Sequence, residues 1–151
     1  MMSTVPKPLP ELTPLTRPFL EAAQRSELRL QKCADCHHIR FPVGPVCTSC
    51  LSGRFEWARM CGHGTVLAHL VFHRAYHPGW AEDVPYSVIL VQLREGPRMF
   101  SNPVDPDRRY VDRDLVGRDV SVVFDEIGDG LSLPRFAVSP NPPANDDPAA
   151  E

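Results

Sequence analysis

The sequence of 151 residues has little that would support membrane insertion, secretion or nonspecific nucleic-acid binding. No apolar run approaches the roughly 18 residues that a membrane span needs. The proline-rich N-terminus has no apolar signal core, so it does not resemble a secretory signal. The formal net charge is −3, which argues against a general affinity for phosphate backbones. These absences predict a cytoplasmic protein whose cysteine thiols stay reduced.

Recognisable catalytic patterns are also missing. There is no Ser-His-Asp signature and no glycine-rich phosphate loop. Glu82, Asp83 and Glu95 lack the spacing of a catalytic carboxylate pair. The histidines that could serve as general acids or bases are His63, His69, His73 and His77. On one strand, His69 and His73 would lie roughly 13 Å apart, too far to share a metal or a proton. We therefore predict no catalytic residues and assign no cofactor-binding ones.

The sequence does contain two Cys-x-x-Cys pairs separated by ten residues. Two such pairs can close the tetrahedral four-thiolate site that zinc prefers in a structural role, with no coordination position left open. The predicted metal ligands are Cys33, Cys36, Cys47 and Cys50. Two disulfides, a thioredoxin-like redox pair and an iron–sulfur cluster are the alternatives, and only His37 and His38 favour a Rieske-type cluster. Cys61 is left over and is predicted to be an inert thiol.

The rest of the chain predicts a mainly β protein. A short helix is expected from Thr16, with Pro18 in its first turn and an apolar stripe that contains Phe19. Five or six short strands follow, with turns about every ten residues, which is typical of a small OB-like barrel. The predicted units are an extended arm (1–16), a helix with a four-cysteine zinc ribbon (17–54), an OB-fold barrel (55–139) and a disordered tail (140–151).

Three features of the strands can be predicted from the sequence. In the apolar stretch from residue 65 to 73, simple alternation places Val66 and Leu70 on the same face of the sheet. Residues 86–93 and 98–102 form a predicted hairpin around a turn that contains Gly96. The last strand, residues 131–138, contains Pro134, which favours a position at the edge of the sheet.

An ordered set of short motifs covers residues 17–138. The motifs are Pro18-Phe19, Leu28-x-Leu30-Gln31-x-Cys33-x-x-Cys36, Pro42 before Cys47-x-x-Cys50, Gly62-x-Gly64-Thr65-Val66, Pro85-Tyr86, Leu93-x-Glu95-Gly96, Gly117-x-x-Val120-x-Val122-x-Phe124 and Leu133-Pro134-x-Phe136. In this order they resemble the family of zinc-ribbon OB-fold proteins associated with acyl-CoA metabolism. Two positions depart from the family: Ser26 stands where glycine is common, and Cys61 where a small or polar residue is common.

The resemblance implies a partner protein. Members of this family look like accessory subunits of thiolase-superfamily enzymes, in which the thiolase-like chain carries the carbon–carbon bond chemistry. The ribbon and barrel chain helps to form the passage for the CoA thioester. The resemblance therefore implies a hetero-oligomer for thiolytic or retro-aldol cleavage, or for condensation, in lipid, steroid or aromatic degradation. Zinc would be structural, and acyl-CoA would be a ligand or a shared substrate.

Two other classes of function stay open. Ribbons and OB folds often bind nucleic acid, but the acidic balance and the lack of an obvious stacking pair make this the weaker alternative. A self-sufficient enzyme would have to use barrel histidines such as His69 or His73.

Two surface features bear on the choice. CoA phosphates could be met by Arg94, Arg98, Arg108, Arg109, Arg113 and Arg118, although interleaved aspartates favour a mixed-charge surface. The loop with Tyr76 and Trp80 is expected either to anchor an interface or to fold over the barrel.

Overall fold

The proline-rich N-terminal segment leads into a single helix, α1 (Arg17–Gln24), close to where the sequence predicts it. This computed structural model describes residues 5–140, so the start of the predicted arm (1–4) and the predicted tail from residue 141 lie outside the described residues. Thr16 occupies the N-cap position, but its hydroxyl donates to the Glu11 carbonyl at 2.7 Å and does not cap the helix. The buried face of α1 packs on the last strand of the barrel.

The helix ends in a left-handed turn at Ser26, where φ is 59°. The N–H of Ser26 donates to the Ala23 carbonyl, and the N–H of Glu27 donates to the Ala22 carbonyl, both at 2.9 Å. This pair of bonds is a Schellman motif with serine at the position that usually holds glycine. Glycine adopts a positive φ without a Cβ clash, which explains why glycine is common at this position in the family.

We expect Ser26→Gly to raise the free energy of unfolding by about 0.5–1 kcal/mol. A left-handed residue with a Cβ costs about 1–2 kcal/mol, which exceeds the extra chain entropy that glycine loses on folding. Urea unfolding followed by circular dichroism measures the change. Ser132→Gly, within the last strand of the barrel, is the control and should destabilise the protein. A lower midpoint for Ser26→Gly would contradict the assignment of the turn.

Three short strands form the ribbon sheet, in the order β2-β1-β3. They are β1 (Arg29–Cys33), β2 (Ile39–Arg40) and β3 (Phe55–Arg59). Residues 55–59, predicted to begin the barrel, form β3, which pairs with β1 along its whole length. It then runs through buried Met60 into the first barrel strand. Because β3 pairs with the ribbon and also leads into the barrel, the boundary after residue 54 stays a prediction.

Five antiparallel strands form the second sheet, in the order β6-β5-β4-β7-β8. They are β4 (His63–Phe72), β5 (Tyr86–Leu93), β6 (Arg98–Ser101), β7 (Asp119–Gly128) and β8 (Leu131–Val138). The sheet curls until the segment after β6 meets β8: the N–H of Val104 donates to the Phe136 carbonyl at 2.8 Å. This is the predicted OB-like barrel, and Pro134 lies on the outer strand β8 as expected.

One predicted strand face is wrong. The β4–β5 register shifts between Val66 and Ala68, so Leu67 is the extra residue of a bulge. Beyond the bulge the alternation is reversed: Val66 is buried, while Leu70 is 50% exposed. His69 instead lies on the side of Val66, opposite Ile89.

The ribbon and the barrel share one hydrophobic core. Leu28 and Leu30, which begin the ribbon, belong to the same buried cluster as Ile89, Leu93 and Phe136 of the barrel. Burying these side chains together fixes the orientation of the ribbon relative to the barrel. In the described part of the chain, no helix is long and apolar enough to cross a membrane.

Candidate metal centre and its surroundings

Each Cys-x-x-Cys pair lies in a tight turn, and the two turns are built alike. The N–H of His37 donates to the Cys33 carbonyl at 3.1 Å, and the N–H of Leu51 donates to the Cys47 carbonyl at 2.9 Å. His37 and Leu51 are the fourth residues after the first cysteine of each pair, and both are left-handed, with φ of 63° and 64°. The chain therefore uses the same local structure twice to aim two sulfurs at one point.

The structure brings together the four cysteines that the sequence predicts as ligands. All four sulfurs lie within 4.8 Å of one another. The Sγ atoms of Cys33 and Cys50 are 3.6 Å apart, as are those of Cys36 and Cys47. Four sulfurs at about 2.3 Å from a tetrahedral zinc ion would be separated by about 3.8 Å. The spacing therefore fits a metal site and is far longer than the roughly 2.05 Å of a disulfide.

The four thiols differ in acidity because of their surroundings. The backbone N–H of Cys36 is the main cause that lowers the pKa of Cys33, to about 6. The N–H of Cys50 likewise lowers the pKa of Cys47. For Cys50, a backbone hydrogen bond from Ser52 lowers the pKa, but the nearby sulfurs, Cys36 first, outweigh it and raise the pKa to about 12. A divalent cation is what allows all four sulfurs to ionise together.

The neighbouring histidines are not part of this cluster. His37 and His38 are both exposed, and the Nε2 atom of His38 lies 3.4 Å from the Thr48 hydroxyl. Cys61 is exposed as well, and its N–H donates to the Glu95 carboxylate at 2.5 Å. Among residues 5–140, the cluster of possible metal ligands contains cysteines alone.

One barrel histidine makes a contact that the sequence did not predict. The Nε2 atom of His69 lies 2.9 Å from the hydroxyl of buried Ser87. This is the spacing of a nucleophile and its base. However, no carboxylate in the described part of the chain lies within ion-pair distance of His69, so the third member of a triad is not there. The bulge at Leu67, which turns His69 inward, has no clear signal in the sequence.

The other histidines are scattered. His63 lies against the hydroxyl of Ser121 at 3.2 Å. His77 accepts the N–H of Gly79 at 3.0 Å and thereby caps a short 3-10 turn. His73 follows the end of β4 and is exposed.

A cavity of about 320 Å³ opens beside Ser87. Arg108 and Arg135 line it, but so do Asp83 and Asp105. Arg108 donates to the Val84 carbonyl at 3.1 Å, so its guanidinium is already held within the chain. The mixed charge of this cavity does not select an anion such as a CoA phosphate.

The aromatic loop divides its two predicted roles between two residues. Tyr76 is 75% exposed, as an interface anchor would be. Trp80 folds back: its ring lies 5.8 Å from that of Tyr86 and 4.7 Å from the Lys7 ammonium group.

Comparisons with known proteins agree with this architecture. The family model described as the ChsH2 rubredoxin-like zinc ribbon domain matches residues 20–56, and that of the ChsH2 C-terminal OB-fold domain matches residues 57–125. A DUF35 domain-containing scaffold protein of Pyrococcus furiosus is 31% identical over 109 residues, which are 68% of this chain and 76% of that protein.

Two further relatives carry names of larger assemblies. A probable enoyl-CoA hydratase alpha subunit of Thermomonospora curvata is 36% identical over 122 residues, or 78% of this chain. The chain spans only 35% of the length of that protein. Among solved structures, a chain of an Ltp2–ChsH2(DUF35) aldolase superposes with a TM-score of 0.72 and 32% identity, and the match covers 86% of this chain and 98% of the other. With its ribbon and barrel both matched, the chain belongs to the ChsH2/DUF35 family of zinc-ribbon OB-fold proteins.

Proposed function

We propose that this chain is the non-catalytic, zinc-containing subunit of a cytoplasmic complex with a thiolase-superfamily enzyme. In that complex it helps to bind an acyl-CoA thioester whose carbon–carbon bond is cleaved or formed. The observation that carries the proposal is the match to a chain of an Ltp2–ChsH2(DUF35) aldolase, at 32% identity over 98% of that chain. The thiolase-like identity of the partner comes from the family resemblance. The name of the Thermomonospora relative, an enoyl-CoA hydratase subunit, supports a CoA thioester.

The chemistry of the metal site supports a structural role. Zinc would be held by the sulfurs of Cys33, Cys36, Cys47 and Cys50, where it would close the ribbon. Four thiolates leave no position for a substrate or a water molecule, so the chain itself supplies no Lewis-acid chemistry there. No carboxylate of the described residues lies within ion-pair distance of His69 either. The reacting groups are therefore expected on the partner enzyme.

Exposed apolar side chains support the need for a partner. Leu67, Leu70 and Phe100 project from the barrel sheet at 39%, 50% and 60% exposure. Apolar side chains grouped on a surface commonly mark a protein interface. A covering protein would remove them from water, which stabilises a complex by roughly 25 cal/mol per Å² of apolar area.

Co-expression with a thiolase-like protein from the same organism tests the proposal. With an affinity tag on this chain, we expect the two proteins to co-purify in a fixed ratio, with one zinc ion per copy of this chain. Separate elution of the two proteins at micromolar concentration would contradict the proposal. An oligonucleotide whose binding weakens with salt would instead favour the nucleic-acid alternative.

A further inference from the structure

Half of β4 has an open edge. On one side, β4 pairs with β5 from Gly64 to Phe72. On the other side it pairs with β7 only from His63 to Thr65, and Val66 then makes the last backbone bonds, with Gly117 and Arg118. Beyond Val66, no described residue bonds to the backbone of residues 67–72 on that side. Within residues 5–140, the N–H and C=O groups that point away from β5 therefore have no backbone partner along about half of the strand.

Apart from the bulge at Leu67, this edge lacks the usual protection against pairing. It reads Leu67-Ala68-His69-Leu70-Val71-Phe72, without lysine, glutamate, proline or glycine. Natural sheets blunt open edges with charges, proline or bulges, because an unprotected edge is a template for another strand. The bulge at Leu67 lies at the start of the edge and leaves the residues after it in regular register with β5. An edge of this kind is expected to be covered in the working protein.

The outer face of the sheet continues this apolar surface. Leu70 stands opposite Val88, and Ala68 stands opposite Leu90. Beyond Leu90 lies Phe100 on β6. None of these side chains is charged, so a strand added to the edge of β4 would widen an apolar face and bury its margin.

One end of the edge is basic. Arg74 lies two residues after the end of β4, and its guanidinium lies 5.6 Å from the centre of the Tyr76 ring. Within residues 5–140 it makes no ion pair. A strand with an acidic side chain at this end would complement its charge.

We propose that the Leu67–Phe72 edge of β4 receives an extended strand from the partner enzyme, which continues the barrel sheet. The mode is β-augmentation, in which backbone hydrogen bonds supply affinity and alternate side chains supply specificity. That the added strand comes from a different protein, and not from a second copy of this chain, rests on the proposed function. The similar solved chain belongs to an aldolase whose name gives two components. We expect this strand to be apolar with an acidic end. The apolar face favours apolar side chains, and Arg74, which makes no ion pair within residues 5–140, favours an acidic one.

Hydrogen exchange measured on the isolated chain and on the co-purified complex tests this contact. In the isolated chain, the amides of residues 67–72 that point away from β5 should exchange at the earliest labelling time. In the complex, the same amides should exchange at least about tenfold more slowly, because each gains a backbone acceptor. A complex that forms while these amides keep their rates would overturn the edge contact and leave the proposed function intact.

Two other results of the exchange experiment would overturn the proposal. If no complex forms, the proposed function fails, and with it the choice of occupant. If the amides are already protected in the isolated chain and its mass is that of two copies, a second copy covers the edge, and the proposal of a partner strand is wrong.

Charged substitutions provide an independent test in the full complex. Leu70→Lys adds the charge that natural edges use against pairing and should weaken association with the partner by about tenfold or more. Leu12→Lys is the matched control, because Leu12 is an exposed leucine in the segment before α1, outside both β4 and the metal-binding turns. It should bind within about twofold of the original protein. Equal binding by both variants, with unchanged thermal unfolding, would contradict the proposal.

Discussion

Removal of zinc is expected to unfold the ribbon and to abolish assembly with the partner enzyme. The ribbon sheet has three short strands, and a unit this small is expected to depend on its metal for stability. Structural zinc contributes on the order of 10 kcal/mol to units of this kind. Cys33→Ser, which removes a buried sulfur 3.6 Å from that of Cys50, should have the same effect as a chelator. Amide exchange in residues 29–59 and metal analysis measure the loss.

A matched control is available in Cys61. It is exposed and lies outside the sulfur cluster, so Cys61→Ser should keep zinc, ribbon protection and assembly. Zinc retention should fall as the pH falls, because each thiolate ligand regains a proton. A metal-free protein with full ribbon protection would contradict the structural role. A Cys33→Ser complex that assembles normally but is catalytically dead would show that the metal takes part in the chemistry.

Gly64→Ala is expected to destabilise the barrel by about 3 kcal/mol or more. Gly64 lies in β4 between Leu93 of β5 and Val120 of β7. A Cβ atom added there would lie 2.5 Å from the backbone oxygen of Gln92 and 2.7 Å from a methyl group of Val91. Because the nearest atom belongs to the backbone of a paired strand, the clash can be relieved only by separating the two strands. Urea unfolding measures the loss as a lower midpoint.

Gly53→Ala is the control for this substitution. Gly53 is exposed between the second cysteine pair and β3, and the nearest atom to an added Cβ is 4.0 Å away. Its midpoint should change by no more than the equivalent of about 0.5 kcal/mol. If Gly64→Ala were as stable as Gly53→Ala, the close approach of β4 and β5 described here would be wrong.

Most of the fold could be predicted because its determinants are local. Thr16 and Pro18 mark the start of the helix, and the two cysteine pairs define the metal cluster by spacing alone. The strand with Pro134 lies at the edge because proline has no N–H to donate to a second neighbour. The two glycines of Gly62-x-Gly64 likewise stand where an added Cβ would clash with a neighbouring strand, against the Val122 side chain at Gly62 and the Gln92 carbonyl at Gly64.

The features that escaped prediction depend on contacts between distant parts of the chain. The bulge at Leu67 is set by the register with β5, and it reverses which of Val66 and Leu70 faces the core. The pairing of β3 with the ribbon depends on backbone bonds to β1, which an alternating pattern cannot specify. The open edge of β4 arises because β7 pairs with so little of it. This edge is the surface that we propose for the strand of the partner enzyme.

The most direct test of the account is a reconstitution of activity. The thioester-cleaving rate of the purified thiolase-like enzyme is measured while this chain is added in increasing amounts, with zinc-loaded and chelated samples compared. The account predicts that the rate rises to a plateau at a fixed ratio of the two chains, and that the chelated chain gives no increase. An enzyme that is fully active alone and indifferent to this chain, or turnover by this chain without the enzyme, would contradict it.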